Sequence, residues 1–206
     1  MADTIPRLLQ EITAAHPDIP AQMSKNTQGI FQARSFKELY EEVSAFAAGL
    51  QKLKVKRGDH VGLISENRAE WLVSDLALLS LGAADVPRGN DSMAQELAYI
   101  LGFSGCSLVI VENEEQLKKV YSVKDEIHSL KQFLVLDPDF DKENSINTGR
   151  IKVTTYAEVR ADGAEQIERK PDLIEKEIEK GTGDETATII FTSGTTGEPK
   201  GVVLSH

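Results

Sequence analysis

Short apolar runs of strand length alternate along this chain with helix-period segments. That alternation restricts it to a sheet of largely parallel strands joined by helical crossovers. Phe36, Leu39, Tyr40, Val43, Phe46, Ala47, Leu50 and Leu53 fall at three- and four-residue spacings, so they make one apolar helical stripe. Ser35 followed by Glu38 gives that helix a capping box, each side chain satisfying the other residue's free amide. Gly58-Asp59 turns the chain, and 60–65 reads as a short buried strand. Asn67 with Glu70 opens a second helix carrying Trp71, Leu72, Leu76 and Leu79. A strand over 83–86 is closed by Pro87, and Ser92 with Gln95 caps a third helix through Leu97, Ile100 and Leu101. The β-branched strand Leu108–Val111 follows. After it come a helix over 114–127, with Glu114/Lys118 and Glu115/Lys119 pairs, and a strand over 133–136. The expected fold class is α/β, a parallel-rich sheet flanked by helices.

Charge narrows the partners. Among 206 residues, 33 acids oppose 23 bases, a formal net charge of −10. That argues against general nucleic-acid or anionic-membrane binding, both of which want a basic surface. The one cysteine, Cys106, cannot form an internal disulfide, has no metal-ligand partner at useful spacing, and reads as a small buried thiol. The N-terminus lacks a basic stretch followed by an unbroken apolar core, so no secretory signal is expected. The longest nearly apolar run, 76–84, is too short to span a bilayer. A reducing cytoplasm is the expected setting.

Residues 137–149 read as a polar loop. Between 158 and 185 there are ten acids against five bases, with Glu165/Arg169 and Asp172/Lys176 four apart, as on a solvated helix. Glu175, Glu177 and Glu179 do not share a helix face, so no catalytic acid pair is expected there. His16, His60 and His128 read as surface or strand residues and Trp71 as core.

From 187 to 191 the chain is a short apolar run, read as a central strand. It feeds Thr192-Ser193-Gly194-Thr195-Thr196-Gly197-Glu198-Pro199-Lys200-Gly201, which holds four hydroxyls and three of the chain's 15 glycines. Packing does not call for that composition; a polyphosphate does. Glycines let successive amides point at one anion, hydroxyls add rotatable donors, Lys200 adds a positive charge, and Pro199 restricts the backbone before it. The Walker A spacing fails, because Lys200 lies between Pro199 and Gly201. The dinucleotide pattern also fails, and Gly181-Thr182-Gly183, only its first half, reads as a turn.

The stretch from 189 to 201 resembles the phosphate-loop signature of the adenylate-forming (acyl-activating) enzymes: an apolar strand, Thr-Ser-Gly-Thr-Thr-Gly, any residue, and Pro-Lys-Gly. Arg34 to Leu39, Gly58 to Leu63, Glu66-Asn67 and Leu81 to Pro87 are similar to upstream segments of that superfamily. Asn67-Arg68-Ala69-Glu70-Trp71 followed by Asp75-Leu76-Ala77 looks most like its long-chain fatty acyl-CoA synthetases. Arg88-Gly89-Asn90-Asp91-Ser92 departs from the usual aromatic-Pro-Thr continuation.

The resemblance implies that Thr192, Ser193, Gly194, Thr195, Thr196, Gly197 and Lys200 bind the ATP phosphates. It implies ATP, Mg2+ and coenzyme A as the small molecules involved, and leaves peripheral membrane contact open for a long-chain substrate. It further implies that 1–206 is the N-terminal part of an adenylation domain, ending just after the loop. The small C-terminal domain is expected to fall outside these residues, turnover by them alone is not expected, and exposed apolar sheet edges are expected. His206 is expected at a helix entry or beside the pocket. Two other readings stay open: a non-catalytic phosphate-binding remnant, and an adenylating enzyme for an aryl or amino acid.

Overall fold

The alternation resolves into seventeen short elements in the computed structural model, which describes residues 3–25, 28–192 and 199–206. Thr4 starts helix α1 (Ile5–Ala15), its hydroxyl accepting from the Arg7 amide. Strands β1 (Pro20–Lys25) and β2 (Phe31–Ser35) form a separate antiparallel pair. Helix α2 (Phe36–Lys52) begins at the expected capping box: Ser35 Oγ accepts from the Glu38 amide at 3.2 Å and Glu38 Oε2 accepts from the Ser35 amide at 2.8 Å. Then follow β3 (His60–Ile64), α3 (Ala69–Ser80), β4 (Ala84–Arg88), α4 (Ala94–Phe103), β5 (Leu108–Val111), α5 (Glu114–Tyr121), a 3-10 turn at Lys124–Glu126 and β6 (Gln132–Val135). The chain finishes with β7 (Lys152–Thr155), α6 (Tyr156–Arg169), α7 (Leu173–Ile178), β8 (Thr186–Thr192) and β9 (Lys200–Ser205).

Seven strands make the main sheet in the order β7-β6-β5-β3-β4-β8-β9, every pairing parallel except β8–β9. Alternation along each strand sends side chains to two cores. Val61 and Leu63 of β3, Leu108 and Ile110 of β5, and Leu134 of β6 pack with α2, α3, α6 and α7 on one face. Ile64, Val109, Val111, Phe133 and Val135 pack with α4 and α5 on the other. The core on both faces is apolar; Cys106 is buried in the second, and burial pushes its thiol up to about 12, as an inert structural thiol requires. Among the described residues no helix is long and apolar enough to cross a membrane.

Several local expectations are corrected. Asn67 and Ser92 do not cap their helices: α3 starts from Arg68, whose guanidinium pairs with Glu70, and α4 starts from Met93. The helix expected over 114–127 stops at Tyr121, where the Ser122 hydroxyl bonds back to the Lys119 carbonyl. Glu114 pairs with Lys118 as expected, whereas Lys119 leaves Glu115 and donates to the Asn90 carbonyl. The acidic segment is two helices rather than one, with both expected ion pairs, Glu165/Arg169 and Asp172/Lys176, present. Pro87 lies inside β4 rather than closing it, and β8 is the second strand from the edge rather than central. Strand β7 and the capping box Thr155/Glu158 that starts α6 are additional features.

One buried charge makes stability depend on pH. Asp85 on β4 is 1% exposed, and burial raises its carboxyl to about 6, with the Thr188 hydroxyl on β8 drawing it partly back. Half-buried Asp75 on α3 is raised to about 7, first by burial and second by the charge of Asp85. Both folded values exceed the ordinary 3.8, so the folded state holds protons that the unfolded chain releases. The contribution of these two carboxyls to stability is therefore greatest at and below about pH 4, is lost as pH rises to about 6 to 7, and changes no further above. Asp85→Asn is expected to raise stability at pH 8 by about 1–2 kcal/mol and leave it nearly unchanged at pH 4. Thermal unfolding at the two pH values checks this; an equal shift at both would refute the assignment.

Candidate functional site at the carboxyl edge of the sheet

Because β8 is parallel to β4, it ends on the same edge as β3, β4 and β5. Parallel α/β sheets bind ligands outside this carboxyl edge, where helices leave in opposite directions. Here β3 leads to β4 on one side and β5 leads to β6 on the other, so the change of direction falls between β3 and β5. Thr192, the last residue of β8, is exposed at this edge, and its antiparallel partner across β8–β9 is Lys200. The two described ends of the expected cradle therefore stand side by side. Ser193, Gly194, Thr195, Thr196 and Gly197 lie outside the described residues. Lys200 is exposed and makes no ion pair among the described residues, which leaves its ammonium available to an anion.

Neighbouring strand ends complete the edge. Ser65, Glu66, Asn67, Trp71, Arg88 and Gly89 line a cleft of about 240 Å3 beyond β3 and β4. Its floor includes Trp71, which also packs against the first core. Two acids close to this edge are engaged locally. Glu112, just after β5, accepts from the Glu66 amide at 2.8 Å, and Glu96 is held by Arg88. Arg88 donates from Nη1 to the Phe191 carbonyl at 3.1 Å, immediately before Thr192. Sequence reasoning singled out Arg88 only as a departure from a pattern. The usable signal was an arginine directly after a proline at the end of an apolar run.

Other candidates fall elsewhere. Strand β9 runs back toward the amino edge, where Ser205 pairs with Thr186, so His206 lies at the edge opposite Thr192. Its Nδ1 accepts from the Ile5 amide at 3.3 Å, and burial lowers its pKa. It therefore steadies the start of α1 and takes no part in this site. Gly181-Thr182-Gly183 precedes β8 at that same opposite edge and is a turn, with the Glu185 amide bonded to the Thr182 carbonyl. His60 Nδ1 lies 2.9 Å from the Ser104 carbonyl, while His16 and His128 are exposed. Among the described residues no group of three or more His, Cys, Asp or Glu could hold a metal ion.

The chain is similar to proteins of one family. The family described as AMP-binding enzyme matches residues 9–206. The chloroplastic long-chain-fatty-acid–[acyl-carrier-protein] ligase of Arabidopsis thaliana is 34% identical over 176 residues, covering 84% of this chain and 24% of its own length. A long-chain-fatty-acid–CoA ligase of Xenopus laevis is 30% identical over 203 residues, covering 98% and 26%. The chain thus spans about a quarter of the length of these curated relatives. Among solved structures, an anthranilate CoA ligase in complex with anthranoyl-AMP superposes with a TM-score of 0.75 at 20% identity, over 98% of this chain and 34% of that one. The adenylation domain of a carboxylic acid reductase from Segniliparus rugosus, with AMP and a co-purified carboxylic acid, superposes with a TM-score of 0.73 at 18% identity, over 98% and 35%. At such identity these neighbours speak for the fold.

Proposed function

Since the chain belongs to the AMP-binding enzyme family, we propose that it carries the ATP phosphate-binding stretch of a ligase that activates a long-chain fatty acid, first as its acyl-adenylate and then as a coenzyme A thioester. These residues would form the phosphate-loop part of the adenylating domain and would not turn over by themselves. The observation that carries the reading is the juxtaposition of Thr192 and an exposed Lys200, without an ion pair among the described residues, at the carboxyl edge, bracketing the hydroxyl- and glycine-rich 193–199. The Arabidopsis and Xenopus relatives, at 34% and 30% identity over most of the chain, are named as long-chain-fatty-acid ligases, which favours that acid class. The aryl-acid reading draws on the likeness to the anthranilate CoA ligase, which at 20% identity supports the fold alone.

In the first half-reaction the substrate carboxylate attacks the α-phosphorus of ATP, and the bond to the pyrophosphate oxygen breaks. In the second, a thiol adds to the acyl carbon, its proton passes to solvent, and AMP leaves. The carboxylate is already nucleophilic, so the chain's residues need only position the nucleotide and stabilise charge on phosphate oxygens. Thr192, Ser193, Thr195 and Thr196 would donate hydroxyl hydrogens to the β- and γ-phosphates. Gly194 and Gly197 would let backbone amides approach, and Lys200 would supply a point charge. Mg2+, when bound, would neutralise phosphate charge, and loop hydroxyls such as that of Thr192 would be among the groups able to face it.

Pyrophosphate release by the complete protein, measured with a long-chain fatty acid, an aryl acid and an amino acid, tests the proposal. The fatty acid is expected to give the fastest release, with thioester formed on adding coenzyme A. Residues 1–206 alone are expected to form no thioester; measurable thioester from them would refute the claim that they are only one part of the site.

A further inference from the structure

One side chain closes a gap in the sheet beside the candidate site. Backbone groups at both ends of β4 bond toward β3: the Ala84 amide donates to the Asp59 carbonyl at 2.9 Å, and the Arg88 carbonyl accepts from the Ser65 amide at 3.1 Å. Backbone direction alternates along a strand, so Asp85 and Pro87 face β8 instead. Asp85 pairs there with Thr188. Pro87, the next residue facing that way, has no N–H to donate. The β4–β8 ladder thus loses a donor before β8 reaches its carboxyl end.

Arg88 supplies a side-chain donor at that place. Its Nη1 reaches the Phe191 carbonyl at 3.1 Å, its Nε donates to Ser92 Oγ at 3.2 Å, and its Nη2 is paired with the Glu96 carboxylate on α4. The Arg88 and Glu96 side chains are only 23% and 26% exposed. A planar guanidinium with several donors can tie β4, α4 and β8 together; the single ammonium of lysine cannot.

We infer that Arg88 is a positioning residue for the nucleotide: it fixes the carboxyl end of β8, and with it the Thr192 hydroxyl, where ATP phosphates would be received. The inference rests on the adenylation reading above. A staple that served stability alone would affect all substrates equally, which the test separates.

In the complete protein, Arg88→Ala is compared with wild type by ATP–pyrophosphate exchange kinetics and by hydrogen–deuterium exchange. The expected result is a KM for ATP raised about 10- to 100-fold with the carboxylate KM unchanged, and faster amide exchange in the peptide covering 186–192 but not in one across β3. Glu96→Gln, which keeps the fold and loosens the brace, should shift the same quantities in the same direction by less, and it decides the matter should Arg88→Ala not fold. Equal rises in both KM values, or unchanged amide exchange over 186–192, would overturn the inference. Wild-type protein with no pyrophosphate exchange would instead overturn the adenylation reading, whatever the amide exchange shows about the brace.

Discussion

Replacing Lys200 by alanine in the complete protein is expected to lower ATP–pyrophosphate exchange by about 10²- to 10³-fold, the range seen when one preorganised donor to developing charge is removed. The expectation follows from three features of the residue. Lys200 is exposed at the first position of β9, opposite Thr192, and has no ion-pair partner among the described residues. No ion pair among the described residues would be lost with its exposed side chain, so folding should survive the change. The chain carries a net charge of −10, so an approaching triphosphate gains little from the protein's overall field and depends on local donors. Carboxylate binding should change little, because the ammonium addresses the nucleotide. Unchanged exchange in a folded Lys200→Ala variant would remove the phosphate-binding assignment of 189–201.

A second large effect lies far from the site. Gly163→Ala is expected to destabilise the fold by about 3 kcal/mol or more and to lower the thermal midpoint by roughly 6–12 °C. Helices α2 and α6 cross backbone against backbone at Gly49 and Gly163. A Cβ on Gly163 would overlap the Ala45 carbonyl oxygen and crowd the Gly49 nitrogen, and a Cβ on Gly49 would overlap the Val159 carbonyl. Neither obstacle is a flexible side-chain end, so the helices would have to part. The Phe46–Tyr156 ring stack and the bonds from Tyr156 and Arg160 to Glu42 depend on the same approach. The sign of the result is decisive. Helix propensity alone would make glycine to alanine favourable by about 1 kcal/mol. A stabilised Gly163→Ala variant in thermal unfolding would mean that the helices do not pack this closely.

Elements with a strong local pattern were legible in the sequence. The stripe from Phe36 to Leu53 and its Ser35/Glu38 box became α2, and the apolar runs at 60–65 and 108–111 became β3 and β5. Where the sequence misled, a nearby side chain had found a tertiary partner instead of its local one. Ser92 accepts from Arg88 rather than capping α4, and Lys119 bonds a loop carbonyl rather than Glu115. Strand β9 escaped because a single run of Val202, Val203 and Leu204 says nothing about what it pairs with. The strand is exposed along its length, with Val203 at 61%, so burial would not have marked it either.

The candidate site divides the same way. Composition alone marked 192–201 as a candidate phosphate cradle, because glycine, hydroxyl and lysine chemistry is local and needs no knowledge of the fold. Which edge it occupies, that Thr192 and Lys200 are cross-strand partners, that His206 lies at the opposite edge, and that Arg88 braces β8 were decided by strand order and direction. Strand order is set by long-range burial and pairing between residues as far apart as Asp85 and Thr188, and that information is carried by no local stretch of the chain.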